Sequence, residues 1–453
     1  MVKLREHPTV QKIRMQQAEA SGPLLIKGRG AGKRLSAEEL RQICLEAGAD
    51  DVGFVELERA ALDDQREDIL KALPGTKTLI SLVCKMNRGP IRSPARSVAN
   101  VEFHHTGDTV NHVARKIVSI LEGQGVQALN PAMGFPMEMD HFPGKIWVVS
   151  HKPVAEAAGL GKMGIHRNVI HPKFGNFILL GTILMDATVD ELSQPVDYNP
   201  CLECKLCVAA CPVGAIKPDG AFDFSACYNH NYREFMSGFT NWVEDVADSK
   251  NARDYRKRVD DTESVSMWQS LSFGANYKAA YCLSVCPAGE DVITPFLDDR
   301  KGFLKDIVKP LQEKEEPVYV VKGSDAEFHV QKRFPNKSPR QITSSLRPRS
   351  IPGFLRGMAL TFQREASSGL DASYHFVFTG SEEQEATITI RDKRLSVEEG
   401  LVGEADLKME ADSEFWLRFL AGDASMVWAV LRRKVKVKGP LSLLQAFQKC
   451  FPS

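Results

Sequence analysis

The sequence predicts an α+β protein of several domains: an α/β unit of cofactor-binding type, a cysteine-rich module, and a C-terminal α+β unit. Three observations carry that prediction. Short apolar runs alternate with amphipathic stretches from Ser36 to about residue 195, cysteines crowd between residues 201 and 286, and a second set of alternating strands starts near Ile351. At 453 residues and 43% hydrophobic content, the chain has material for two or three cores. Lysine plus arginine equals aspartate plus glutamate at 58 each, so no net charge recruits a nucleic acid or an anionic membrane, and neither is expected as a partner. No apolar run reaches the ~20 residues that span a bilayer.

Residues 1–35 read as a basic surface arm, with Lys3, Arg5, Lys12, Arg14, Lys27, Arg29, Lys33 and Arg34 against Glu6 and Glu19. It lacks the apolar core of an export signal, and a cytoplasmic location is expected. The first domain, 36–195, opens on a capping box in which Ser36 and Glu39 precede Leu40, Ile43, Cys44 and Ala47, and Gly48 closes the helix. Val52 to Val55 and Leu79 to Cys84 read as buried strands. Thr109 to Glu122 reads as a helix, and Phe177 to Met185 as a further strand. Gly159, Gly161 and Gly164 match G-x-G-x-x-G by count. A dinucleotide site is rejected, because a helix-like segment precedes them where that fingerprint needs a strand.

The chemistry sits in the next module, 196–300. Cys201, Cys204, Cys207 and Cys211, with Pro212 behind the last, spell C-x2-C-x2-C-x3-C-P, the run that bacterial ferredoxins use for iron–sulfur clusters. Zinc sites usually separate two pairs of thiols by a dozen or more residues, and disulfides suit secreted chains, so neither fits as well. In that run the fourth cysteine serves the other cluster, so a second set must return. Cys227, Cys282 and Cys286, followed by Pro287, are that set. The crossing rule then predicts Cys201, Cys204, Cys207 and Cys286 on one cluster and Cys211, Cys227 and Cys282 on the other. The second is one thiol short, at Ala279, where a returning C-x2-C-x3-C-P run would start. Such a cluster would have three or four irons, with His230 a candidate fourth ligand or the last iron left bare. A long insertion, 228–281, separates Cys227 from Cys282. Cys44, Cys84 and Cys450 read as core residues.

The block AGLGKMG, the strand LLGTILMD and the cysteine module after it, in that order, resemble epoxyqueuosine reductase and the related reductive dehalogenases over about residues 40–300. The resemblance implies a cobalamin-binding domain joined to a two-cluster ferredoxin module that feeds electrons to the cobalt. It places Ser150 to Asp186, with Gly159, Gly161, Gly164 and His151, beside that cofactor. It also implies an acid ahead of the A-G-L-G block as proton donor. The expected offset falls near Lys145, so Asp140 and Glu138 are the nearest acids. His104, His105, His112, His141, His151, His166 and His171 crowd this domain, and His151 and His166, which flank the glycines, join Asp140 as catalytic candidates.

Residues 301–350 carry many charges and Pro310, Pro317, Pro335, Pro339 and Pro348, which predicts an extended linker. In the last domain, 351–453, strands are expected at Tyr374 to Thr379, Ala386 to Ile390, Arg394 to Val397 and Ala405 to Glu410, ahead of a helix at Asp412 to Leu420. FVFTG at 376–380, ADLKMEADSEFWLRFLAGD at 405–423 and VKVKGPLSLLQAF at 435–447 resemble the sterol carrier protein domain. That likeness implies a five-stranded sheet enclosing an apolar tunnel, with Phe415, Trp416, Phe419, Met426, Trp428 and Leu431 as candidate lining. A hydrophobic small molecule and a redox donor protein are the partners that follow. The function expected is an iron–sulfur oxidoreductase passing electrons through two clusters to cobalamin or a substrate in the first domain. The alternative is an electron-transfer or interaction protein with a vestigial pocket.

Overall fold

The computed structural model describes residues 11, 12, 15, 32–131, 133, 147–278, 280–424 and 434–452. Most of the basic arm and Glu138, Asp140, His141, Lys145, Ala279, Met426, Trp428 and Leu431 therefore lie outside the described residues.

The first unit is built around a sheet buried on both faces. Helix α1 (Ala37–Ala47) starts where Ser36 Oγ accepts the amide of Glu39 at 3.3 Å and ends at Gly48, which has φ 119° and so takes the left-handed turn at no side-chain cost. Strands β1 (Asp51–Glu56) and β2 (Thr78–Lys85), helix α2 (Arg96–Gly123), the short β3 (Ala128–Leu129), helix α3 (His151–Ala157) and strand β4 (Ile178–Met185) follow. The sheet order is β1-β2-β4-β3, and every pairing is antiparallel. With every pairing in this sheet antiparallel, the unit's topology is α+β.

Alternate residues face opposite sides, which explains the continuous apolar runs. Phe54, Ile80, Leu82 and Ile183 pack under α1 and α2, whereas Val55, Leu79 and Leu184 meet Val154 and Ala157 of α3. Each such fully buried side chain contributes ~1.5–3 kcal/mol. Helix α2 runs thirteen residues further toward the N-terminus than its apolar periodicity indicates, since it starts at Arg96 rather than Thr109. The reason is tertiary. Asn100 Oδ1 accepts the amide of Tyr277 at 3.1 Å, His104 Nε2–H donates to the Ala275 carbonyl at 2.6 Å, and Phe103 lies 5.0 Å from the Tyr277 ring.

The cysteine module is helical: α4 (Leu206–Ala210), α5 (Phe224–Asn231), α6 (Met236–Asp248), α7 (Asp261–Phe273), α8 (Tyr281–Val285) and α9 (Glu290–Asp298). Inside the insertion, a buried Arg233–Glu263 ion pair at 2.8 Å ties the start of α6 to α7.

Residues 301–350 are not an extended linker. They form strand β5 (Pro317–Val321), helix α10 (Asp325–Arg333) and strand β6 (Ser338–Ile342), with β5 and β6 parallel. Val318, Val320 and Val330 enter the same core as Leu206, Ala210 and Tyr281 of the cysteine module. The prolines misled because Pro317 opens a strand and Pro339 sits on an exposed one, both places where a missing amide is tolerated.

The last unit has α11 (Ile351–Thr361), β7 (Ala372–Thr379), β8 (Gln384–Arg391), β9 (Arg394–Glu399), β10 (Leu407–Asp412), α12 (Ser413–Leu420), β11 (Val435–Lys438) and α13 (Leu441–Lys449). Its five strands run β9-β8-β7-β10-β11, parallel at β7-β10 and antiparallel elsewhere. Tyr374, Phe376, Phe378, Met409, Trp416 and Phe447 fill its core. Phe415 and Phe419 lie half-buried beside them. Trp416 packs 5.9 Å from the Phe376 ring, which gives it a core role.

Candidate metal centre and adjoining cavity

Two turns of similar conformation present the cysteines. Lys205 has φ 63° at the start of the five-residue α4, which ends at Cys211 before Pro212. Ala280 has φ 50° at the start of the five-residue α8, which ends at Cys286 before Pro287. Left-handed backbone in residues other than glycine is uncommon and costs ~1–2 kcal/mol, so its recurrence at matching positions marks one local design used twice. In the second copy Ala279 stands where the first has Cys204. The design is therefore kept where the thiol is not.

Cys201, Cys204, Cys207 and Cys286 line one small pocket, with Ile165, His166 and Pro287. Cys211, Cys227 and Cys282 instead form part of the wall of a cavity of about 950 Å³ that spans the first unit and the cysteine module. Among the described residues no three His, Cys, Asp or Glu donors converge closely enough to hold a single metal ion. Cluster ligands need no such convergence, because each thiolate binds a different iron.

Burial raises the thiol pKa of Cys282 to about 11 and of Cys286 to about 12, and drives those of Cys207 and Cys227 higher. These sulfurs become thiolates when a metal displaces their protons. Backbone and side-chain amides are already aimed at sulfur. The Ala215 N–H donates to Cys211 Sγ at 3.3 Å, and Asn168 Nδ2 lies 3.9 Å from Cys282 Sγ. The donor set and its N–H···S partners fit iron–sulfur clusters.

The cavity wall carries Arg96, Lys152 and Arg167 and, among the described residues, no carboxylate. Lys152 Nζ donates to the Arg167 carbonyl at 2.6 Å and to Asn168 Oδ1 at 3.3 Å. Burial lowers its pKa, while Cys282 and Cys227 pull it back up. Arg96 is buried and donates to the carbonyls of Ile91 and Ser93 and to Ser284 Oγ, each at 3.0 Å. Apolar Met86, Trp147 and Ile178 to Leu180 make up another part of the wall. The volume lies at the upper end of small-molecule sites, and the wall, apolar over most of its area with polar side chains among it, leaves room for a large macrocycle.

His151 lines the cavity with Nδ1 2.8 Å from Thr182 Oγ1. His166 is buried between the small pocket and the cavity, and burial lowers its pKa to about 4. Its Nδ1 accepts the Asn168 amide at 3.1 Å, and Nε2 lies 3.4 Å from Asn176 Nδ2. His171 is held by Asp51 at 3.0 Å, away from the cavity wall, and His105 and His112 are exposed.

Gly159, Gly161 and Gly164 do not line the cavity. Gly161 has φ 148°, and a Cβ there would lie 2.3 Å from the Ile170 carbonyl oxygen, while one on Gly159 would meet the Gln194 carbonyl at the same distance. These glycines let chains pass closely behind the site. Lys152, Asn168, Tyr232, Tyr277 and Tyr281 belong to the wall and were not singled out in the sequence. The one available signal was adjacency, since Lys152 follows His151 and Tyr281 precedes Cys282.

The chain is thus an iron–sulfur protein with a separate C-terminal domain of its own family: residues 195–217 match the 4Fe-4S binding domain and residues 361–452 match the SCP-2 sterol transfer family. The chain is similar to epoxyqueuosine reductases. That of Gloeobacter violaceus is 29% identical over 36% of this chain and 49% of its own length, and that of Escherichia coli 28% over 43% and 56%. The chain spans about half the length of the curated relatives it matches. Among solved structures, an epoxyqueuosine reductase with a tRNA-Tyr stem loop aligns over 66% of this chain and 81% of that one, at 15% identity and TM-score 0.33. Balanced net charge sums over the whole molecule and says nothing about local patches, so the expectation of no nucleic-acid partner does not stand on composition. Among the described residues no helix is long and apolar enough to cross a membrane.

Proposed function

We propose that the protein is an iron–sulfur reductase that takes electrons at a surface-side cluster and delivers them through a second cluster into the cavity. One observation carries this reading: Cys201, Cys204, Cys207 and Cys286 gather in a pocket of their own, whereas Cys211, Cys227 and Cys282 face the cavity. Cys201 and Cys204 are only partly buried and Leu202 between them is 44% exposed, which suits docking of a redox donor protein on the first side.

The cavity would hold cobalamin, as the resemblance to epoxyqueuosine reductase implies, and that group supplies a metal able to accept the electrons and act on a substrate. Residues of this chain do the rest. Arg96, Lys152 and Arg167 offset negative charge accumulating on the clusters, with no carboxylate in the described wall to oppose them. His151, fixed beside Thr182, faces the same space. Asp140 remains the candidate proton donor by sequence position. Ala359 and Leu360 of the C-terminal unit close part of the wall, so a hydrophobic substrate or partner presented by that unit would meet the cavity directly.

The test is the iron, sulfide and corrinoid content of anaerobically purified protein, followed by absorption spectra during cobalamin titration. About seven or eight irons per chain and one corrinoid are expected. About four irons would overturn the two-cluster relay. Failure to bind corrinoid stoichiometrically would remove the cobalamin form and favour an electron-transfer protein without chemistry of its own.

A further inference from the structure

The second cysteine set is one thiol short, at Ala279. The turn at Ala280 keeps the left-handed conformation found at Lys205, and Ala280 lies in the cavity wall beside Cys282. His230 is the obvious substitute ligand, because it sits three residues after Cys227 on α5, on the same helical face, and also lines the cavity. Its hydrogen bonding argues against that role. His230 Nδ1 accepts the backbone N–H of Tyr319 at 3.2 Å, so Nδ1 carries no proton. Burial keeps the ring neutral by lowering its pKa to about 4, which places the single proton on Nε2. A protonated nitrogen has no lone pair for iron. At 1% exposure, His230 Nε2–H is a donor with no hydrogen-bond partner among the described residues, a condition disfavoured unless something fills the space before it. The described cavity wall carries Arg96, Lys152 and Arg167 and no carboxylate, which suits an anion, while Lys278, Lys337 and Lys314 offset Glu316 among the charges that act on His230 itself.

We propose that the second cluster keeps one iron free of any protein ligand, and that this iron, facing the cavity, takes a small anion that accepts a hydrogen bond from His230 Nε2–H. The proposal rests on the two-cluster reading above. It differs from that reading in what the last cluster does: it becomes a binding site as well as a relay.

The probe is ¹³C-cyanide, added to the reduced full-length protein and read by electron paramagnetic resonance. Hyperfine broadening of one cluster signal is expected, and it should vanish in Ala279→Cys, where an added thiol occupies the open corner. His230→Phe should weaken cyanide binding by about tenfold or more while leaving iron content unchanged. Two clusters by iron and sulfide analysis with a cyanide-insensitive spectrum would overturn the inference alone. So would nitrogen hyperfine coupling lost in His230→Phe, which would make the histidine a ligand, or a three-iron signal that ferrous iron and reductant do not convert. A single cluster by analysis would overturn both this inference and the relay beneath it.

Discussion

Glu316 offers a sharp test of how the turn that carries Cys282 is held. Its Oε1 accepts from the Tyr281 hydroxyl at 2.6 Å and from Lys337 Nζ at 2.8 Å, and the Lys337 side chain is fully buried. Tyr281 directly precedes Cys282 on α8, so this pair anchors the turn from the β5-α10-β6 segment. Glu316→Ala leaves a buried ammonium with only the carbonyls of Leu311 and Lys314, at 3.0 and 2.8 Å, and leaves the tyrosine hydroxyl without its acceptor. Breaking such a pair from one side costs ~3–5 kcal/mol, whereas replacing both members with apolar residues of similar volume is often close to neutral. Hydrogen exchange at the amides of Tyr281 to Val285 should therefore speed up sharply in Glu316→Ala and recover in Glu316→Leu with Lys337→Met. The pH dependence has a defined sign. Burial raises the Glu316 pKa, but the Lys337 charge and the two hydrogen bonds outweigh it and hold the carboxyl below its ordinary value. That contribution is complete above the unfolded value of ~4.3 and is lost as pH falls through the folded value. A parent and Glu316→Ala that differ by less than about 1 kcal/mol at pH 7, or a double variant as labile as the single one, would refute the reasoning.

Other outcomes follow from local geometry. Ala279→Cys should raise the iron content recovered after aerobic handling, by giving the second cluster a fourth thiolate; unchanged loss would place the missing ligand elsewhere. Asp223 caps α5 by accepting the Ala226 amide at 2.9 Å, and burial raises its pKa to about 6 despite that bond and nearby Lys217. Because the folded value exceeds the unfolded ~3.9, stability should fall as pH rises from about 4 to about 6. Asp223→Asn should abolish that fall and keep the cap, while Asp223→Ala should cost about 1 kcal/mol, both read from denaturation midpoints. Gly161→Ala should destabilise the first unit by about 2 kcal/mol or more, since its Cβ would meet the Ile170 carbonyl at 2.3 Å; an unchanged melting curve would contradict this.

Features written locally were legible in the sequence. The Ser36 cap, the Gly48 stop and the three-strand meander β7-β8-β9 each depend on near neighbours in sequence, and their positions emerge within a residue or two. The cysteine spacing carried its chemistry openly because a cluster turn constrains four residues at once. What stayed hidden depends on contacts across the chain. The N-terminal half of α2 is helical because Asn100, Phe103 and His104 meet residues 275–277, and nothing in its own periodicity shows that. Lys152 acquires its character from burial near Cys227 and Cys282 and His230 from Tyr319 and Glu316, all far along the chain from them, and the glycine block packs behind the cavity. Proline density concealed a parallel β-α-β segment, since two short strands tolerate prolines that a central strand would not.

The position of Ala359 and Leu360 in the cavity wall changes what a truncation would mean. A cut near residue 350 looks like the removal of a separable lipid-type module. Asp325 nevertheless accepts the amides of Glu365 at 2.7 Å and Ala366 at 3.1 Å, and Arg364 pairs with Asp219 at 2.6 Å, so that module is fastened to the cysteine-bearing body by its first residues. Its deletion would open a window in the wall of that cavity. A shortened chain is thus a solvent-flooded version of the same site, and any ligand-binding difference it shows reports on water as much as on the missing domain.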